Sequence, residues 1–407
     1  MPPRQSRSGG RGYDKTGTVP TAHTKGGYKP KSSSAKPRTL DEYYSDVYGE
    51  RWPALRSAMM VPPRKVALWN RFCQIPFAEA TRGLVRVDPN SLMQAFQPST
   101  DADAAAAVVE AERRSGDDAN DAPPPPHQHH GDLIDKPAID AFGVKAYYLL
   151  DYASTHIVEQ LQVGAFDTVL DMCAAPGGKS VAIAQSLSPD GALTCNETRP
   201  DRCARLRRTL QEHIPVNYVP WRTTQRDAQT WYDPAAYSRV LVDAPCSSER
   251  HLLLQSGGTP PPLREWSEET TVQLAALQRA LLQRAIETCR VGGRIVYSTC
   301  SISPMENDGV VAEVLQRTRC AVRVVSATPA AASAPSAAAG SEAVDTHASA
   351  PYTPSVLGEA TAHGRLLLPD TCNGWGPMYF CVLEKVAEHQ SMGSSSTDDD
   401  SGEDQDS

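Results

Sequence analysis

The chain has 407 residues, a formal net charge of −8 and ten cysteines, none of them in a CxxC pair. No run of about 18 apolar residues occurs, so no membrane-spanning helix is expected, and the unpaired cysteine pattern argues for free thiols in a reducing compartment. Residues 1–40 hold nine Lys or Arg and one Asp, while the last seventeen hold six acids and no base; the middle is therefore net acidic, which argues against a surface that binds nucleic acid everywhere.

Residues 1–40 are rich in Gly, Ser and Pro and almost free of apolar side chains. They cannot offset their ordering entropy by burial and read as a disordered basic arm. A mitochondrial presequence is the competing reading, although the Leu and Phe that would make one amphipathic are missing. Residues 41–97, beginning DEYYSDVYGERWPALRSAMM, read as a small N-terminal helical region broken by Pro53 and Pro62-Pro63. Residues 98–135 contain DADAAAA, DDANDA and PPPPHQHH and read as a low-complexity insertion. The histidines at 127–130 have no paired cysteines to complete a zinc site, and no metal is expected.

From 136 to 388 the pattern becomes α/β. DTVLDM (167–172) is a short apolar strand, followed by a Gly-containing turn and the helix SVAIAQSL. ALTCN (192–196) is a second strand, followed by a helix over RPDRCARLRRTLQEH. VNYVPW (216–221) reads as a third strand and RVLVD (239–243) as a fourth. QLAALQRALLQRAIETC (273–289) places apolar residues on one helical face, and RVGGRIVYSTC supplies a Gly stop and then a fifth strand. Strands alternating with helices imply a parallel, doubly wound sheet. MYFCVLEK (378–385) reads as an edge or hairpin strand. The Ala- and Ser-rich residues 326–354 read as a second insertion, and 389–407 as a disordered acidic tail.

The ends of the predicted strands carry the chemistry. Ligands of open α/β sheets sit outside the carboxyl ends of strands, at the point where the strand order reverses. The first strand ends in DMCAAPGGKS (Asp171–Ser180), where Gly177 and Gly178 would let a ligand approach the backbone and the next helix offers free N–H groups. The string is neither GxGxxG nor a full phosphate loop, so dinucleotide and triphosphate readings are weak. A tight strand-to-helix turn explains the glycines but not the whole string. Glu197 ends the second strand, where an acid can take a ribose diol; its bland reading is a helix-start acid. Asp227 follows the third strand, where a carboxylate can take an adenine amino group; alone, it would be a solvated loop acid. Together these positions favour an adenosine-containing cofactor.

The fourth strand ends in VDAPCSSERH and the fifth in STCS, so Cys246 and Cys300 both stand at strand ends over this crevice. A disulfide, a metal site or a two-thiol active site could account for them. A free cysteine is most often a small buried hydrophobe; that reading suits Cys173, Cys195, Cys203, Cys289 and Cys381. The basic helix residues 202–208 and Arg222, Arg226, Arg250 and Arg264 are candidate phosphate contacts, each otherwise an ordinary solvated charge.

DMCAAPGGKS, VDAPCSSERH and VYSTCSISPMEN together resemble the Nol/Nop/Sun family of RNA cytosine-5 methyltransferases, over about residues 140–388. The resemblance implies a Rossmann-like, S-adenosylmethionine-dependent methyltransferase sheet, here with a small N-terminal helical cap and disordered tails. It implies that Cys173, Ala174, Ala175, Pro176, Gly177, Gly178 and Lys179 line the methionine and ribose side of the cofactor. Glu197 would bind the ribose with Arg202 nearby, Asp227 would meet the adenine, and Asp243 would sit at the reacting centre. Cys300 would attack carbon 6 of the cytosine and Cys246 would assist breakdown of the adduct. SERH, GPMYFCVL and DVYGERWPALRSAMM resemble the mitochondrial ribosomal-RNA branch, which implies ribosomal RNA as substrate, a mitochondrial location and a helical-repeat partner of the mitochondrial termination-factor type. Nucleolar or cytoplasmic residence is the alternative location. A transfer-RNA cytosine-5 methyltransferase and a ribosome assembly factor of methyltransferase fold are the alternative functions. Glu197 stands where the family commonly has Asp, and neither insertion matches a family feature.

Overall fold

In the computed structural model, described over residues 37–89, 91–99, 134–215, 217–325 and 357–389, the chain starts with two short helices, α1 (Leu40–Tyr48) and α2 (Trp52–Met60). Thr39 caps α1 in a reciprocal box with Glu42, satisfying two backbone donors at once. Leu40, Tyr44, Trp52, Leu55 and Met59 form a buried cluster with Leu253, Trp266, Ile302 and Leu368, which lie hundreds of residues downstream.

The helical expectation for 41–97 fails beyond Met60. β1 (Val66–Trp69), the single-turn helix α3 (Phe77–Ala80), β2 (Leu84–Arg86) and β3 (Ala95–Pro98) occupy this stretch instead, and β4 (Tyr147–Leu150) completes an antiparallel sheet in the order β2-β3-β1-β4. Pro62-Pro63 ends the 3.6-residue period, and the apolar runs after it are too short between polar breaks for a helix. The pairing that fixes β1, Val66 against Leu150 to Trp69 against Tyr147, spans some eighty residues of sequence and leaves no local trace.

The second sheet holds the site. The helix α4 (Tyr152–Gln160), capped by Asp151, leads into β5 (Thr168–Asp171), α5 (Gly178–Ala184), β6 (Ala192–Asn196), α6 (Pro200–His213) and β7 (Trp221–Thr224). The chain then crosses back to β8 (Tyr237–Asp243), α7 (Glu249–Gln255), α8 (Glu268–Thr288), β9 (Cys289–Thr299), α9 (Asp308–Arg317) and β10 (Cys320–Val324). β11 (Glu359–Ala360), β12 (Arg365–Leu367) and β13 (Met378–His389) close it. The strand order is β11-β12-β13-β9-β8-β5-β6-β7, with β10 also on β13; β7, β6, β5, β8 and β9 are mutually parallel and the rest antiparallel. The direction of winding reverses between β5 and β8, so the open crevice of the sheet lies over their carboxyl ends. Alternate residues enter two cores: Val169, Leu241 and Val296 face α4, α5 and α6, and Leu170, Val240 and Tyr297 face α8 and α9.

Three strand expectations need correcting. The third strand is Trp221–Thr224, because Pro215 and Pro220 bracket a turn closed by the Tyr218 N–H on the Pro215 carbonyl at 3.0 Å. MYFCVLEK is interior: β13 pairs with β9 on one side and with β12 and β10 on the other. The Gly pair does not stop α8, which ends at Thr288; Gly292 and Gly293 lie inside β9, at the irregularity between the Tyr237–Cys289 and Arg239–Arg294 pairings. The insertions expected at 98–135 and 326–354 and the two tails lie mostly or wholly outside the described residues.

Candidate active site

β8 and β9 run parallel with Asp243 opposite Ser298, so both strands end at the same level over the crevice. Cys246 lies three residues beyond Asp243 and Cys300 two beyond Ser298, and their sulfurs stand 3.0 Å apart. Ser248, in the left-handed region at φ 53°, places its Oγ 3.2 Å from the Cys300 Sγ and 3.5 Å from the Cys246 Sγ. Cys300 can therefore receive two hydrogen bonds. The bond from Cys246 lowers the Cys300 pKa against the opposing effect of burial, and the Ser248 hydroxyl lowers it further. The same contact with Cys300 pushes the Cys246 thiol up. With Ser248 nearer to it than to Cys246, Cys300 is the better placed of the two sulfurs to carry negative charge.

Beside the thiols, Lys179 Nζ donates to Asp243 Oδ2 at 2.7 Å and Ser298 Oγ to Asp243 Oδ1 at 3.0 Å. Burial opposes the Lys179 charge, but Asp243 more than offsets this and the ammonium is retained. The turn after β5 is clamped by Arg202, which donates to the Ala175 carbonyl at 2.9 Å and pairs with Glu197 at 3.3 Å. Glu197 is 5% exposed and accepts the Arg199 N–H at 3.0 Å. Asn196, which the sequence did not single out, donates to the carbonyls of Met172 and Arg226 at 3.2 and 3.0 Å and accepts the Arg226 N–H at 2.9 Å. It thereby ties together the ends of β5, β6 and β7. Asp171 accepts from Ser180 Oγ at 2.7 Å, while its second oxygen is buried with no partner, and burial pushes its carboxyl up to about 7.

A crevice of about 590 Å³ joins these groups, and Cys173, Ala175, Lys179, Glu197, Arg202, Asp227, Asp243, Cys246 and Cys300 all line it. Ala174, Pro176 and Gly178 instead line an adjoining cavity of about 220 Å³ with Tyr148, Leu150 and Ser154; Lys179 and Asp243 border both. Gly177 lines neither. The glycines are required by protein packing: a Cβ on Gly178 would lie 2.6 Å from the Tyr148 ring, and Gly177 has φ 113° with Thr209 3.0 Å from where its Cβ would stand. Ser247, Ser248, Ser298, Ser301, Glu249 and Glu306 also surround the thiols. The sequence offers only their nearness to the two cysteines as a signal.

The arginines expected to meet phosphate are mostly engaged. Arg250 is buried and donates to the carbonyls of Gly374, Gly376 and Val61. Arg222 donates to Thr194, Arg226 pairs with Asp233 over the Trp231 ring, and Arg264 pairs with Glu265. Among the described residues no group of three or more His, Cys, Asp or Glu side chains is placed to hold a metal ion.

A parallel sheet reversing at a crevice lined by strand-end acids, with two thiols at its far end, has the plan of a methyltransferase that takes a nucleoside cofactor. Residues 158–351 match the family model described as 16S rRNA methyltransferase RsmB/F. The mitochondrial tRNA (cytosine(34)-C(5))-methyltransferase of Danio rerio is 32% identical over 355 residues, covering 85% of this chain and 86% of its own. The 5-cytosine rRNA methyltransferase NSUN4 of Xenopus tropicalis is 28% identical over 389 residues, covering 85% and 89%. Among solved structures, NSun6 from Pyrococcus horikoshii with SFG superposes with a TM-score of 0.60 over 86% of this chain and 99% of that one; at 17% identity this is a likeness of fold. The chain belongs to the RsmB/F family of Nol1/Nop2/Sun RNA cytosine-5 methyltransferases. It is an enzyme that methylates RNA with S-adenosylmethionine. The residues present fit that cofactor: acids at the ends of β6 and β7 suit an adenosine, and the crevice runs on past Cys173 and Ala175 to the thiols.

Proposed function

We propose that this chain methylates carbon 5 of a cytosine in mitochondrial ribosomal RNA, with Cys300 as the attacking nucleophile. The observation that carries the chemistry is the 3.0 Å thiol pair at the ends of adjacent parallel strands, with the Lys179–Asp243 pair beside it. S-adenosylmethionine, when bound, supplies an electrophilic methyl group. Glu197 takes its ribose hydroxyls, Asp227 its adenine amino group, and the Cys173–Lys179 turn, clamped by Arg202, its methionine side.

Carbon 5 of cytosine is a weak nucleophile. The Cys300 thiolate adds to carbon 6, which makes carbon 5 enamine-like and able to take the methyl. Asp243 holds the cytosine edge with lone pairs beyond those used by Lys179 and Ser298, and it relays a proton from the Lys179 ammonium, 2.7 Å away, to ring nitrogen 3 as the adduct forms. After transfer, Cys246, deprotonated to solvent once Cys300 is bonded to the base, takes the carbon 5 proton; the carbon–sulfur electrons return to Cys300 as thiolate, and the nitrogen 3 proton returns through Asp243 to Lys179. A base must leave its stack to reach a crevice thiol, so a cytosine in a loop or unpaired segment is the preferred target.

Ribosomal RNA is supported by the match to the 16S rRNA methyltransferase family and by the rRNA-methylating relatives; mitochondria are supported by the mitochondrial relative from Danio rerio. That relative acts on transfer RNA, and this keeps tRNA as the second reading. The net acidic middle of the chain and its engaged arginines favour RNA capture through a partner, and the resemblance to the mitochondrial ribosomal-RNA branch implies one of the helical-repeat termination-factor type. Cys300→Ala is expected to abolish methylation, and Cys246→Ala to accumulate an RNA–protein adduct through Cys300, seen as a nuclease-sensitive slow band on a denaturing gel. Normal turnover by both variants would overturn covalent catalysis. Bisulfite sequencing of organellar and cytosolic RNA with and without the protein identifies the RNA; loss of a transfer-RNA mark alone would overturn the ribosomal assignment.

A further inference from the structure

Beneath the thiols lies a second pair of groups. Glu249 at the start of α7 and Glu306 before α9 are both fully buried. They share the two hydroxyls next in sequence to the cysteines. Ser247 Oγ donates within hydrogen-bond distance of both Glu249 Oε1 and Glu306 Oε1, and Ser301 Oγ reaches the same two oxygens at 3.0 and 3.3 Å. The two hydroxyls are themselves 2.9 Å apart. The outer oxygens are also engaged: Glu249 Oε2 accepts the Ile302 N–H at 3.2 Å, and Glu306 Oε2 accepts the Ser247 N–H at 3.1 Å and Gln278 Nε2 at 2.8 Å. Gln278 donates as well to the Pro245 carbonyl, at 2.8 Å. Tyr44 of α1 donates to Glu249.

Five close oxygen contacts among Glu249, Glu306, Ser247 and Ser301 have only two hydroxyl protons to serve them, and no Lys or Arg bonds or pairs with either carboxyl among the described residues. Two carboxylates in this position cannot both be ionised without a large cost. We propose that Glu249 and Glu306 hold one proton between them and act as positioning residues, tying the Cys246 loop to the Cys300 loop through Ser247 and Ser301 so that the two thiols stay in contact. This rests on the covalent reading above. Burial first, and then Glu249, push the Glu306 carboxyl up to about 7. The other titratable groups facing the pair are Tyr43, Tyr44 and Tyr48 of α1, Tyr297 of β9 and the two thiols. The tyrosines and the Cys246 thiol are all held above their usual range, whereas the Cys300 thiol is lowered and shapes the acidic side of the profile.

Thiol contact can be read without catalysis. Diamide oxidises two neighbouring thiols to a disulfide, taking both hydrogens and becoming the hydrazine, and peptide mapping measures the rate of Cys246–Cys300 closure. Glu306→Ala is expected to slow this closure and lower kcat, each by about a hundredfold, because ångström-scale misplacement costs that much. Its S-adenosylmethionine affinity should change little. Glu306→Gln mimics the neutral acid and should keep at least about a third of both rates at pH 7. The sign of the pH effect comes from the raised Glu306 pKa: the Glu306 carboxyl keeps its proton below about 7 and loses it above. Wild-type turnover therefore declines on the alkaline side, and Glu306→Gln, which has no such proton to lose, does not decline. Should Glu306→Ala fail to fold, the Gln pH profile and Ser301→Ala closure rates decide. Normal closure in Glu306→Ala, equal damage in the Gln and Ala variants, or a Gln profile that keeps the alkaline fall would each overturn the proposal. Failure of the covalent reading shows separately, as turnover by Cys300→Ala while diamide closure still depends on Glu306.

Discussion

Ser248 sits at φ 53° and ψ 50° without being glycine, a conformation that costs an ordinary residue about 1–2 kcal/mol. That cost is offset where its hydroxyl reaches both sulfurs. A hydrogen bond to a charged acceptor contributes about 1.5–3 kcal/mol, and one pH unit corresponds to about 1.4 kcal/mol. Ser248→Ala removes one of the two donors that lower the Cys300 pKa, so the acidic limb of the pH–rate profile should move upward by about one pH unit. The iodoacetamide alkylation rate of Cys300 against pH measures this directly; an unmoved limb would mean that Cys246 alone holds the thiolate. At this scale the sequence was legible for residues that carry a motif and blind to those that do not. Cys246, Cys300 and Asp243 announced themselves by standing after apolar strands. Glu249 and Glu306 did not, since an acid at a helix start is read as a surface charge until its burial is seen.

Among the elements, register decides where the thiols meet. β8 and β9 must end level, and Gly293 lets β9 lie close on β8: a Cβ there would fall 2.5 Å from the Cys289 Sγ and 2.9 Å from the Ser238 carbonyl. Gly293→Ala is expected to destabilise the fold by about 1–3 kcal/mol, as overpacking does, and to slow Cys246–Cys300 closure by diamide although neither loop is touched. Thermal melting and peptide mapping check the two parts; unchanged closure would show that the loops, and not the strands, set the thiol distance. The parallel strands were readable because each is a short apolar run with a loop and a helix after it. β13 was misread as an edge because its neighbours are strands whose residues lie tens of positions away, and local pattern says nothing of how many partners a strand has. The small sheet was missed for the same reason: β1 is held by β4 across the long insertion.

On the scale of the whole molecule, α1 and α2 are part of the catalytic domain's core. Leu40, Tyr43, Tyr44, Trp52, Leu55 and Met59 bury against Leu253, Trp266 and Ile302, and Arg51 pairs with Glu359 and Asp370 beyond the second insertion. Six such side chains at about 1.5–3 kcal/mol each amount to about the whole stability of a domain. Truncation before Val61 is therefore expected to leave no cooperative melting transition in calorimetry. A truncated protein that melts like the full chain would make these helices an accessory.

Two sulfurs 3.0 Å apart at a cleft open to ligands also form a vicinal dithiol. Soft thiophilic species, such as trivalent arsenic or mercuric ion, are bound by such a pair as a chelate, which a lone cysteine cannot offer. A pair occupied in that way is closed to RNA, and under the covalent mechanism proposed above methylation then stops.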